Sequence, residues 1–169
     1  GIEFVAKYLE RAVKNPGDIE ARGYMMMAAM MGAVAFQKDL GAAHSLAHAL
    51  SSVCGMQHGL ANALCLVPVM RFNVETSSGK YAEVAGCFGI NTYGMPEKEA
   101  AEKAIDAVED LMERIAIPAC LADAGVEQGE LSLLCEKAYE DSCHLTNPRS
   151  CSKEDLMMLY RQAYEKGSR

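Results

Sequence analysis

Apolar positions recur every three or four residues from the start of the chain. In "IEFVAKYLERAVK", Ile2, Val5, Leu9 and Val13 share one face, which predicts a helix over residues 2–14. "NPGD" breaks the pattern, and Asp18 suits the N-cap of a long helix to about residue 37. From Met25 to Phe36 that helix is apolar nearly all round, so it is expected to be central and buried. Gly41 precedes a further helix to about residue 54, which Gly55 stops. Another starts near His58 and runs to about Val74, with a kink expected at Pro68, where one backbone bond is lost. "SSGK" reads as loop, residues 79–87 as helix and "FGINTYGMP" as a turn-rich connection. Pro96 suits the first turn of a helix reaching about Ile115, with Ala100, Ala104, Val108, Leu111 and Ile115 on one stripe. Pro118 opens a short piece, residues 127–140 read as another helix, and "TNPR" breaks it. Ser152 with Asp155 three residues on forms a capping-box pattern for a last helix to about Lys166. No run alternates as a strand would and no segment repeats, so the expected fold class is all-α, a helical bundle forming one domain over 1–169.

Composition narrows the functional classes. At 169 residues, 50% hydrophobic and 23% charged, the chain can bury a real core. A net charge of -7 without any basic cluster argues against a nucleic-acid surface. The longest charge-free apolar run, Gly23 to Gln37, is short of the roughly 20 residues a membrane span needs. The first residues lack a signal-peptide pattern, and the seven cysteines form no CxxC pair. Reduced thiols in a cytoplasmic protein are therefore expected. The eleven methionines, five of them in "MMMAAMM", read as adaptable core filler.

Chemistry concentrates in "GAAHSLAHALSSVCGMQHGLANALCLVPVMRFN", residues 41–73, which holds three of the four histidines and no carboxylate. His44 and His48 stand one helical turn apart and project together, so spacing alone pairs them as metal ligands, with His58 in reserve. The competing reading is a set of satisfied core histidines. A catalytic divalent metal usually takes three or four protein ligands, often with a carboxylate among them, so further ligands must come from elsewhere. Asp39 is near in sequence but could equally cap the helix, and Cys54 and Cys65 are soft donors whose neighbours look like packing positions.

This stretch resembles the signature of the iron-containing (group III) alcohol dehydrogenases, G-x-x-H-x-x-x-H followed ten residues on by H-G-x-x-N-A. Gly41, His44 and His48 supply the first part, and His58, Gly59, Asn62 and Ala63 the second. Met70 and Asn73 fit the usual P-x-x-M-x-x-N ending, although Pro68 sits one residue nearer the methionine. "LERAVKNPGDIEARGYMMMAAMMGAVAF" and "DSCHLTNPRSCSKEDLMMLYRQAY" are also similar to the family, so the likeness spans nearly the whole chain.

The resemblance implies the C-terminal helical domain of a two-domain oxidoreductase, similar to the dehydroquinate synthase-like α domain. An N-terminal α/β domain that binds NAD or NADP, absent from this chain, would complete it. It re-sorts the histidines: His44 and His58 become ligands of Fe²⁺ or Zn²⁺, and His48 faces nicotinamide and substrate, where it would help to relay the alcohol proton. The family's other two ligands, an Asp-x-x-x-His pair, would lie upstream of Gly1. Phe36 and Cys143 match substrate-pocket positions, with ordinary core aromatic and buried thiol as the alternatives. The implied reaction interconverts a small alcohol and an aldehyde or ketone, and the fragment alone is expected to be inactive. Two alternatives are a zinc enzyme domain of the glycerol dehydrogenase type and a catalytically idle helical interaction module. Neither nucleic acid nor membrane is an expected partner, and the oligomeric state is left open, with a homo-oligomer as the candidate.

Overall fold

Helix ends follow the side-chain chemistry closely. The computed structural model describes residues 1–165. It contains α1 (Ile2–Lys14), α2 (Ile19–Ala35), α3 (Ala42–Cys54), α4 (His58–Cys87), α5 (Glu97–Arg114), α6 (Leu131–Glu140) and α7 (Lys153–Tyr164). Short 3₁₀ turns occupy Phe36–Lys38, Gln128–Glu130 and Ser142–Thr146, and among the described residues there is no strand. Asp18 caps α2 by accepting from the Ala21 N–H at 2.9 Å. Gly55 ends α3 in the left-handed region at φ 66°, which a residue without Cβ adopts at no steric cost. Ser152 and Asp155 form the expected reciprocal capping box on α7. That helix is described to Tyr164, and the expected Lys166 end lies outside the described residues.

Two expectations about α4 change. The interruption expected at "SSGK" is a single kinked residue, Ser77 (φ -137°, ψ 20°), rather than a loop, and the backbone stays helical at Pro68. Ser77 is also the point at which the chain passes between two compact units. One unit comprises residues 1–38 and 77–116, and the other residues 39–76 and those from Ile117 onward.

The first unit is built from α1, α2 and α5 with the end of α4. Tyr8 stacks on Tyr24 with ring centroids 4.1 Å apart, and Arg114 bonds Glu10 at 2.8 Å. Helix α5 turns its predicted stripe inward at Ala100, Ala104 and Leu111. The expectation that α2 is a central buried helix is wrong. It buries only Ala21 and Ala28, while Met26 is 75% and Met30 60% exposed. A helix apolar all round has no polar face to dictate which side packs, so its surroundings decide, and here most of its methionines face outward.

The second unit has the larger core. Leu46, Leu50, Cys65, Leu121, Leu134, Leu156, Leu159 and Tyr160 are fully buried in one cluster. The Tyr160 hydroxyl reaches polarity inside it by donating to the Leu46 carbonyl at 2.8 Å. Asn147 ties the segment after α6 to α3 and α4. Its Oδ1 accepts from the Ala42 N–H at 3.2 Å and from Asn73 Nδ2 at 3.1 Å. Its Nδ2 donates to Asn73 Oδ1 at 2.7 Å and to the Arg149 carbonyl at 2.6 Å. The Arg149 guanidinium in turn lies 4.0 Å over the Phe72 ring and donates to the Phe72 carbonyl. Gly41 fits because a Cβ there would lie 3.0 Å from Asn147 Oδ1.

Candidate functional site

Three imidazoles converge in the second unit. Helix α3 puts His44 and His48 one turn apart, and α4 begins at His58. Ring centroids are 5.8 Å apart for His44–His48, 5.6 Å for His44–His58 and 5.3 Å for His48–His58. Gln57 starts α4 by accepting from the Leu60 N–H at 2.8 Å. Gly59 leaves room for that cap, since a Cβ would come within 3.1 Å of the Gln57 amide oxygen. Asn62, one turn into α4, places its amide nitrogen 3.0 Å from the His58 carbonyl and 3.1 Å from His58 Nε2.

A carboxylate completes the cluster from the other end of the second unit's sequence. Asp141 Oδ2 lies 2.9 Å from His48 Nδ1. Its Oδ1 accepts from Ser45 Oγ and from the Cys143 N–H, both at 2.8 Å. Ser45 Oγ accepts in turn from the His144 N–H at 2.8 Å, and the His144 ring bonds the Asp141 carbonyl through Nδ1 at 2.6 Å. His48, Asp141 and Cys143 also bring an N, an O and an S donor within 4.8 Å of one another.

The electrostatics follow from this packing. Burial lowers the His44 pKa, and the neighbouring His48 and His58 push it further down, so its lone pair is available at neutral pH. Partial burial alone would raise the Asp141 carboxyl, but hydrogen bonds from His48, Cys143 and Ser45 hold it well below the usual carboxylate range. Burial pushes the Cys143 thiol up to about 11, with Asp141 adding to the shift, so at neutral pH it is a protonated thiol.

The residues singled out from sequence thus fall into two groups. His44, His48, His58 and Cys143 belong to the second unit, while Phe36 belongs to the first, where it starts the 3₁₀ turn and is 59% exposed. Asp39 does not cap α3, whose N-cap is Gly41. Cys65 is buried in the core with its thiol pushed up to about 12, and Cys54 packs against that core, so both are packing residues. Asp141 was missed. Residues 41–73 hold no carboxylate, and the available signal is the acid of "DSCH", two residues before Cys143.

Imidazole nitrogens sit about 2.1 Å from a bound transition metal, which puts two ligand ring centroids roughly 5 Å apart. All three separations approach that value, so the donor set suits a divalent ion and distance alone does not rank the pairs.

The fold agrees with the comparisons to known proteins. The chain belongs to the Fe-containing alcohol dehydrogenase family: residues 1–164 match the model of that family's C-terminal part. It is 35% identical over 163 residues to the NAD-dependent methanol dehydrogenase of Bacillus methanolicus, covering 96% of this chain and 43% of that protein. It is also 35% identical to the 1,3-propanediol dehydrogenase of Klebsiella pneumoniae, covering 96% and 42%. Among solved structures, a 1,3-propanediol oxidoreductase superposes with a TM-score of 0.93 at 35% identity, covering 96% of this chain and 43% of that one. An alcohol dehydrogenase from Oenococcus oeni gives 0.92 at 33% identity, covering 96% and 43%. The chain therefore spans less than half the length of these relatives.

Proposed function

We propose that this chain is the helical, metal-side part of an NAD(P)-dependent alcohol dehydrogenase that interconverts a small alcohol and its aldehyde or ketone by hydride transfer. The convergence of three imidazoles, one of them held by a carboxylate, carries this reading. His44 and His58 are assigned as the metal's ligands in this chain, on the family pattern, and the ion as Fe²⁺ or Zn²⁺. The remaining ligands and the NAD or NADP site are assigned to protein outside these 169 residues, since no strand among the described residues could carry a nucleotide loop. When bound, the divalent ion supplies Lewis-acid polarisation of the alcohol or carbonyl oxygen. His48 faces nicotinamide and substrate and accepts or returns the hydroxyl proton. The protonated Cys143 thiol is assigned to the substrate pocket as a small neutral wall. We take a short primary alcohol as the substrate class, in keeping with the methanol and 1,3-propanediol named for two of the relatives. Seven unpaired cysteines suit a reducing compartment such as the cytoplasm.

Cobalt(II) titration of the chain, followed by ligand-field absorption, tests the metal assignment. Binding is expected to be weak, because two protein ligands leave the ion largely held by water. His44→Ala and His58→Ala should each abolish it, and His48→Ala should leave it near wild type. No binding at millimolar cobalt, or loss on His48→Ala alone, would overturn the assignment.

A further inference from the structure

We propose that Asp141 is the positioning residue of His48: its carboxylate fixes the ring in the Nδ1–H tautomer and leaves Nε2 as the basic atom offered to the reaction. The inference rests on the reading of His48 as the group facing substrate and nicotinamide, and adds a residue that acts only through it.

The argument starts from donor and acceptor inventory. An ionised carboxylate only accepts, so the ring nitrogen 2.9 Å from Asp141 Oδ2 must carry the hydrogen. In a neutral imidazole the other nitrogen then holds a bare lone pair. Proton transfer at that atom breaks an alcohol O–H bond and forms an N–H bond at Nε2, with the electron pair staying on oxygen. The resulting imidazolium is balanced by the carboxylate already bonded to its other edge.

Asp141 is itself fixed on every side. Ser45 Oγ and the Cys143 N–H both bond Oδ1 at 2.8 Å, so only Oδ2 is left for the ring. The His144 ring bonds the Asp141 carbonyl, and the His144 N–H orients Ser45. His144 is buried and stacks on Tyr139 with centroids 5.4 Å apart, which anchors the turn from below. Rigid support of this kind is what a proton-handling group needs to keep its geometry.

Asp141 also starts the 3₁₀ turn Ser142–Thr146, a purely structural task. The isosteric substitution Asp141→Asn separates the two roles. An asparagine can keep its carbonyl oxygen on Ser45 and Cys143, but then turns an amide donor toward His48 Nδ1. The ring must answer with a lone pair at Nδ1, which moves its hydrogen to Nε2. A structural role alone would leave the tautomer untouched.

Long-range ¹⁵N–¹H correlation spectra of the chain at pH 8 read this without any metal or turnover. In the wild type, His48 Nε2 should give a pyridine-type shift and Nδ1 a pyrrole-type shift. In Asp141→Asn the two should exchange, while the backbone shifts of Ser142–Thr146 stay near wild type. A wild-type His48 carrying its hydrogen on Nε2, or a tautomer that does not change in the variant, overturns the inference. In the protein expressed from its complete reading frame, Asp141→Asn should lower kcat roughly 10²-fold with KM nearly unchanged. A KM effect with kcat unchanged would also overturn it. His48→Ala in the same protein judges the underlying reading separately: unchanged kcat there refutes the role of His48, whatever the tautomer of the wild-type ring.

Discussion

Asn147 holds the segment that carries Asp141 and Cys143, and its removal should loosen both the core and the site. Asn147→Ala deletes four hydrogen bonds: two accepted, from Ala42 and Asn73, and two donated, to Asn73 and Arg149. Asn73 and Asn147 are both buried, at 4% and 8% exposure, so the abandoned partners do not all regain water. At about 1 kcal/mol net per bond, with about 1–3 kcal/mol for a buried group left unpaired, the cost comes to about 3 kcal/mol after partial relaxation. Asn73→Ala removes only the two bonds between the amides, or about 1.5 kcal/mol. Once Asn73 is gone, removing Asn147 strands fewer groups, so the double variant should cost about 3 kcal/mol rather than the sum. A single denaturation midpoint is a poor readout for a chain of two compact units, so native-state hydrogen exchange of α3 amides is the assay. About 3 kcal/mol corresponds to a loss of protection of roughly 150-fold. The Ala42 amide, which bonds Asn147 directly, should lose protection even where the rest of α3 keeps it. Less than threefold loss in Asn147→Ala, or strictly additive costs, would refute this role of Asn147.

Other outcomes follow from the same packing. Tyr160→Phe should cost about 1 kcal/mol in the same assay, because the ring still fills the core while the bond to the Leu46 carbonyl is lost; a neutral substitution would show that bond to be idle. Cys54, Cys143 and Cys151 have thiols pushed up to about 11 by burial, so at pH 8 only about one in 10³ should be thiolate. Iodoacetamide labelling read by mass spectrometry should therefore be slow at pH 8 and accelerate towards pH 11, and labelling of all three at free-thiol rates at pH 8 would contradict the packing. The linkage has a definite sign. An unfolded thiol ionises near its ordinary value of 9.0 while the folded one holds its proton, so stability is full below that pH and declines between about 9 and 11.

Elements bounded by local chemistry were legible: Asp18, Gly55 and the Ser152–Asp155 box act within a few residues of themselves, so a linear reading contains all their partners. The all-α class followed for the same reason, and the i, i+4 placement of His44 and His48 needs only helical geometry. Helix α2 was misjudged because burial depends on what lies opposite, and a helix apolar on every side gives no hint of it. The kink expected at Pro68 is absent, while the break expected at "SSGK" falls at Ser77, where the chain leaves one unit for the other.

Local order along the chain is enough to specify the helices, several of their caps and three histidines at a spacing that resembles one enzyme family. Which polar groups meet depends on how the helices pack. Asp141 stands 93 residues from His48, and Asn147 stands 105 from Ala42 and 74 from Asn73. No periodicity spans such separations. They close because α3, α6 and α7 share a buried apolar core, and burying that surface carries the polar side chains at their ends into contact.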